Sequence, residues 1–418
     1  MKKNLKKVII NLSLLPILFS CENSPAPLTG ERISIFSQHE NKSISKEKIT
    51  LEKPYINTSW TTDSGNQQNV KGHLAGRKTF SKLFTTDIGH ISSKREILYT
   101  PVANTKAIFT IDGTLKIRAT DINTGKILWE QIDLTNNGLI KFGALTLDNN
   151  DLYAITNNSQ LLKINAETGE VIYSKYFNKN LKSGLQFCNN KILFTTTDNE
   201  LYVIDSITGE KLYTHKALEE PNGFIKGSTP ACIDDKIVAT FSNSEVHMIM
   251  ADTQTPICLD SLYNIQSSNI NNMSDIIANP IIKDDIVIIK SYNNKTKAFN
   301  LTDGTLLWET KNGGKTTPTI SNNIMFDINN DNIIFAQDIN NSKILWETKL
   351  DTNNIVFNPL LVNNQLLIPI SNGDIIKVNP YNGNIIGTED LAYKIDTSPI
   401  IIQDKLIILS NGNLKVFN

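Results

Sequence analysis

From about residue 97 onward, short apolar runs alternate with polar pairs, and the alternation repeats with a period near 40. Each unit begins with an apolar run broken by a polar pair: Asn149-Asn150, Asn189-Asn190, Asp234-Asp235, Asp284-Asp285, Asn322-Asn323, Asn363-Asn364 and Gln403-Asp404. A second turn follows about eight residues later, as at Asp112-Gly113, Asp198-Asn199 and Asn372-Gly373. A third closes the unit, as at Asn123-Thr124-Gly125-Lys126, Glu167-Thr168-Gly169-Glu170 and Tyr381-Asn382-Gly383-Asn384, with Gln254 and Ser342 at the glycine's place in two copies. Asn, Asp and Gly tolerate the positive φ of tight hairpins. Three turns separate four strands rich in Ile, Leu, Val and Tyr, and apolar residues at helical spacing are absent. A four-stranded meander of this length is one propeller blade.

First strands begin near Pro101, Ala144, Leu185, Pro230, Pro280, Pro318, Pro359 and Pro399, which predicts an all-β fold of eight four-stranded antiparallel blades. Proline fits the first residue of a strand, where no ladder donor is lost. The eighth unit stops at Asn418 after three strands. Lys78 to Gly89 has the length and period of the missing fourth, so the ring is predicted to close with this N-terminal strand and leave no open seam.

The first sixty residues read differently. Lys2, Lys3, Lys6 and Lys7 precede an apolar stretch from Val8 to Phe19, too short for a helix across ~30 Å of hydrocarbon. Leu18-Phe19-Ser20-Cys21 resembles a bacterial lipobox, which implies a signal peptide over 1–20 and diacylated Cys21 as the new N-terminus. Glu22 is not the Asp that retains lipoproteins in the inner membrane, so the resemblance points to the outer membrane, periplasmic face. Residues 21–54 are polar without apolar period and are expected to be a flexible tether, leaving 55–418 as the propeller.

The formal charge is −1, with no Lys/Arg cluster beyond the N-terminus, which argues against nucleic acid. Cys188, Cys232 and Cys258 are odd in number and irregularly spaced, so they are expected as small core hydrophobes rather than a disulfide framework. Five scattered histidines form no metal-ligand spacing, and there is no Gly-x-Ser-x-Gly elbow. Gly313-Gly314-Lys315-Thr316 mimics the end of a phosphate loop but has Glu309 at the first glycine's place. Asp327-x-Asn329-x-Asp331 mimics a calcium loop with Asn332 for the turn glycine. No catalytic, metal or cofactor-binding residue is assigned, and no cofactor is expected.

Four residues after the glycine position stand Trp129, Tyr173, Tyr213, Trp308 and Trp346. The full pattern, Asp121 to Trp129, resembles the tryptophan-docking repeat of propellers related to pyrroloquinoline-quinone enzymes, where the ring packs structurally between blades. Pro27 to Ser34, Ser59-Trp60, Gly72-His73-Leu74 and Asp87-Ile88-Gly89, with the blade count, are similar to the outer-membrane protein assembly factor BamB family, alphaproteobacterial type. That resemblance implies a non-catalytic scaffold binding the periplasmic domains of the barrel-assembly insertase. It also implies that the loops Phe224 to Pro230 and Met273 to Pro280 carry the contact, with Phe224, Ile225, Lys226 and Asp275 exposed as partner-binding residues. Lys226 stands where the family commonly has Arg, and Ile277 where it has a second Asp. The rival readings are a periplasmic ligand-binding or sensor propeller and a quinoprotein dehydrogenase; the latter's adjacent cysteine pair is absent.

Overall fold

Each apolar run becomes a strand, and each unit becomes a blade. The computed structural model describes residues 48–89, 96–98, 100–131, 141–156, 160–220, 224, 226–262, 275–293 and 295–418. Cys21 and the lipobox lie outside the described residues. Blade 1 runs from Val102–Ala103 to Ile127–Gln131, blade 2 from Lys141–Asp148 to Val171–Tyr176, and blade 3 from Gln186–Cys188 to Lys211–Lys216. Blade 4 spans Ala231–Ile233 to Pro256–Ser261, blade 5 Ile281–Lys283 to Leu306–Thr310, and blade 6 Thr319–Ser321 to Ile344–Lys349. Blade 7 spans Leu360–Val362 to Ile385–Asp390, and Ile400–Ile402, Lys405–Ser410 and Asn413–Phe417 begin blade 8.

Burial follows position in the blade. Third strands such as Glu200–Asp205 are buried along their middle because a neighbouring blade covers each face, whereas the outer strand Val171–Tyr176 alternates with period two. The polar pairs do turn with positive φ, among them Asn189 (44°), Asp234 (49°), Asn322 (54°) and Asn363 (43°). Gln254 (59°) and Ser342 (61°) keep the left-handed geometry that glycine holds in the other copies.

The ring closes as the repeat requires. Lys82–Asp87 pairs antiparallel with Asn413–Phe417, Phe84 opposite Val416 and Asp87 opposite Asn413. The aromatic positions show why this strand belongs there. Trp129 donates its indole N–H to Ala166 O in the next blade (2.9 Å), and Trp346 does the same to Pro380 O (2.8 Å). Trp308 reaches Ile339 O (2.5 Å), while the hydroxyls of Tyr173 and Tyr213 reach Ser206 O and Ala251 O (3.1 and 2.5 Å). A Cβ on Gly169 would come 2.7 Å from the Trp129 ring, so the ring lies flat on the neighbour's glycine turn. Phe84 supplies the same contact for blade 8, at 2.5 Å from a Cβ built on Gly125. Beyond it, Arg118 donates to Ile88 O and pairs with Asp112 (2.7 Å) and Glu130 (2.7 Å), fastening the strand's end to blade 1.

The segment before the closing strand does something the repeat gives no sign of. It tours the inner rim and touches the blades in order. Gln403 N–H donates to Asn57 O (2.7 Å) from blade 8, Trp60 N–H to Ala103 O (2.8 Å) in blade 1, and Leu147 N–H to Thr61 O (2.8 Å) from blade 2. Thr62 Oγ1 reaches Leu185 O at blade 3 (2.7 Å), and blades 4 and 5 donate from Cys232 N to Gln67 O (2.8 Å) and Ile282 N to Gln68 O (3.0 Å). Lys71 Nζ donates to Thr317 O at blade 6 (2.9 Å), and His73–Leu74 pairs parallel with Leu361–Val362 of blade 7. Burial pushes the Lys71 ammonium down to about 7. Attachment starts before Tyr55: Ile49 is buried and Glu52 N–H donates to Ser321 Oγ (2.9 Å), so the last residues assigned to the tether lie against the ring.

Two expectations about side chains are corrected or resolved here. Cys188 and Cys232 form a disulfide, with Cα atoms 6.3 Å apart, and among the described residues Cys258 is free. Their spacing of 44 is one blade repeat, but Cys188 pairs with Lys191 while Cys232 pairs with Ile237, one position out of step. Successive side chains on a strand point to opposite faces, so this offset turns one sulfur forward and the other back across a single inter-blade gap. Asp327, in the calcium-like stretch, is fully buried and pairs with Lys290 at 2.5 Å.

Candidate functional site

In an antiparallel four-stranded blade, the loop from one blade to the next and the turn between strands two and three emerge on the same face. The entry loops there share one device. The residue before each strand-opening proline is held extended by the ring behind it, and it donates or accepts toward the next blade. Thr229 N–H donates to Asn279 Oδ1 (2.7 Å), Asn279 N–H to Thr317 Oγ1 (3.0 Å), Thr317 N–H to Asn358 Oδ1 (2.8 Å) and Asn358 N–H to Ser398 Oγ (3.4 Å). This collar runs from blade 4 to blade 8 and is legible as Thr-Pro, Asn-Pro and Ser-Pro once the blades are known. Asp63, from the N-terminal segment, extends it: its carboxylate accepts from Asn279 Nδ2 (3.1 Å) and Thr100 N–H (3.2 Å).

The two loops expected to bind a partner are adjacent on this face. Phe224 N–H donates to Asp275 Oδ2 at 2.7 Å, and the Phe224 ring meets Tyr292 edge-on with centroids 5.0 Å apart. Phe224 is half-buried, and Lys226 lies 3.8 Å from Asp63 with 37% of its side chain exposed. Ile225 lies outside the described residues. Asp275 departs from the expectation of an exposed side chain. It is buried and paired with Lys182 at 2.8 Å, and Lys182 also reaches Ser242. Burial raises the Asp275 carboxyl above its ordinary range, opposed by the Lys182 charge. An acidic residue inside a loop demands a cation nearby, which here is Lys182 from the entry to blade 3, two blades back. Asp275 therefore holds the Phe224 loop in place rather than facing a partner.

Beside these loops lies a cavity of about 800 Å³ over the entries to blades 5–8, floored by Asp63, Asn279 and Thr317. Lys315, from the phosphate-loop mimic, stands exposed at its mouth, so that motif is an inter-blade loop.

Two histidines meet between blades 3 and 4. His247 Nε2 lies 3.1 Å from Glu245 Oε2, and His247 Nδ1 lies 2.8 Å from His215 Nε2. Because the carboxylate accepts, His247 Nε2 donates, leaving Nδ1 to accept from His215 Nε2–H. The chain is satisfied with both rings neutral. Burial lowers both pKa values, and for His247 the neighbouring His215 adds to the lowering. Groups with depressed basic pKa values support folding above the unfolded value near 6.5 and lose that contribution as pH falls below it. The melting temperature of the wild type is therefore expected to fall more between pH 7.5 and 5.5 than that of His215→Gln/His247→Gln, measured by scanning calorimetry. Parallel pH profiles contradict this.

Among the described residues no group of three His, Cys, Asp or Glu side chains is placed to hold a metal ion. No helix there is long and apolar enough to cross a membrane.

Comparison with known proteins places this geometry. The family model described as outer membrane protein assembly factor BamB matches residues 113–348 and 298–413. The outer membrane protein assembly factor BamB of Yersinia pestis is 21% identical over 340 residues, covering 78% of this chain and 86% of that protein. The crystal structure of BamB from Moraxella catarrhalis superposes with a TM-score of 0.70 at 14% identity, over 81% of this chain and 99% of that one. A europium-containing methanol dehydrogenase superposes at 0.66 with 10% identity, over 84% of this chain and 89% of that one, a likeness of fold alone. With the family model matched from the second half of blade 1 through blades 2–7 and into blade 8, this chain belongs to the outer membrane protein assembly factor BamB family.

Proposed function

We propose that the protein is a non-catalytic scaffold of the machinery that assembles β-barrel proteins in the outer membrane. In this reading Phe224, Ile225 and Lys226 bind the periplasmic domains of the barrel-assembly insertase, with Asp275 as the positioning residue beneath them. The observation that carries it is the bond from Phe224 N–H to Asp275, which joins two separate loops into one patch in a chain of this family. Half-buried Phe224 beside a charged Lys226 is the mixture of apolar anchor and polar rim that makes a hot spot. The non-catalytic reading is supported by the family match to an assembly factor.

Purified insertase periplasmic domains, titrated by calorimetry, test the patch. Lys226→Glu is expected to lose at least ten-fold in affinity with an unchanged melting temperature, since 37% of the Lys226 side chain is exposed. Wild-type affinity in this variant removes the patch.

The scaffold is held at the periplasmic face of the outer membrane by acyl chains on Cys21, because one chain binds only marginally and two or more hold stably. Mass spectrometry of the mature N-terminus is expected to show acylated Cys21, and Cys21→Ala is expected to release the protein from membranes. An unmodified N-terminus elsewhere in the chain contradicts the anchor.

A further inference from the structure

We propose that the cavity over blades 5–8 is a second docking site, one that takes an extended, acidic polypeptide segment. The argument begins with which charges face the opening. Five charged residues line it: Asp63, Lys226, Lys315, Lys394 and Asp396. Both carboxylates are turned inward and occupied. Asp63 accepts from Asn279 and Thr100, and Asp396 accepts from Asn411 N–H at 2.5 Å. Lys315 and Lys394 are exposed, and the Lys394 charge acts on the neighbouring Asp396 carboxylate. The cavity therefore presents cations to solvent on a chain whose formal net charge is −1.

Its interior suits a peptide. The walls carry amides and hydroxyls from Asn354, Ser371 and Asn372, and Ile355 stands 56% exposed at the edge. Such walls can meet main-chain N–H and C=O groups while one apolar side chain finds a partner. A sugar ring would favour a flat, open aromatic face. The one aromatic ring lining the cavity, Phe357, is half-buried and packed against the core of blades 7, 8 and 1. At about 800 Å³ the space lies within the ~300–1,000 Å³ of specific ligand sites. The collar from Asn279 through Thr317 and Asn358 to Ser398 fixes the floor, so little ordering accompanies binding. Lys315 and Lys394 lie on the entries to blades 6 and 8, on other loops than Lys226, which also lines the cavity, so their variants test this site separately from the Phe224 loop.

The test uses the full processed chain and a fluorescein-labelled decapeptide of alternating Glu and Ser, read by anisotropy at low and physiological salt. Binding that weakens with salt and falls at least ten-fold in Lys315→Glu/Lys394→Glu, with a smaller fall in Lys315→Ala/Lys394→Ala and unchanged melting temperatures, is the expected result. A matching Lys/Ser decapeptide is expected not to bind. No binding of the Glu/Ser peptide at low salt, or equal binding by the double variants, overturns the proposal. Tighter binding of a sulfated dextran oligosaccharide, displacing the peptide, also overturns it and makes the cavity an anionic-glycan site.

Discussion

Deleting residues 22–47 is expected to leave the melting temperature unchanged, whereas deleting 22–89 is expected to produce a chain that aggregates on expression. Residues 48–89 contribute in two ways. Lys82–Asp87 is the outer strand of blade 8, and its loss uncovers Asn413–Phe417 as a strand edge with unpaired N–H and C=O groups, a template for pairing with another chain. The same loss removes Phe84 from the Gly125 turn and leaves Arg118 without Ile88 O. The stretch from Asn57 to Leu74 then takes with it bonds to the inner strand of every blade. Each is worth about 1 kcal/mol net, and Cys232 N, Ile282 N and Asn69's partners Thr229 O and Pro280 O lose their protein partners with the rest. The sum is comparable with the ~5–15 kcal/mol that holds an ordinary domain together. Monodisperse protein of equal melting temperature from both truncations contradicts the account.

Replacing both Cys188 and Cys232 with Ala is expected to lower stability by about 4 kcal/mol in denaturant titrations. The bridge closes a loop spanning a sequence separation of 44, for which the chain-entropy relation gives about that value. Both sulfurs are buried between blades 3 and 4, so the substitutions also leave small voids, and reductant under native conditions is expected to act slowly. Cys258→Ala serves as the control, since Cys258 is half-buried and unbridged. Equal midpoints for wild type and the double variant contradict a structural disulfide.

How much of this was legible in the sequence follows from what kind of force holds each part. The blades announce themselves because Asn189, Asn363 and Gly209 must adopt positive φ, and few residue types do so cheaply. The closing strand was legible by subtraction, since the last unit lacks a strand and Phe84 stands in a run of the right period. The tour from Asn57 to Leu74 was not, because it is held by main-chain bonds and by scattered polar side chains such as Thr62, Asn69 and Lys71, which follow no period. The disulfide was hidden by parity: a spacing near one repeat is suggestive only when the one-residue offset between Cys188 and Cys232 is read as two strand faces. At the candidate site, Lys226 is partly exposed, whereas Asp275, expected to be exposed, is buried and paired. Its partner, Lys182, is 93 residues away and belongs to another blade's entry, so nothing local marks the charge as buried.

The central claim is that this chain works by holding the barrel-assembly insertase. Affinity purification of the full-length, tagged protein from detergent-solubilised envelopes of its own cells tests that most directly, with partners identified by mass spectrometry and the absorption spectrum of the eluate recorded. The account predicts the insertase in near-stoichiometric amount, and its loss when Lys226→Glu is purified in the same way. An eluate without insertase, or one carrying a bound quinone chromophore in its place, contradicts it.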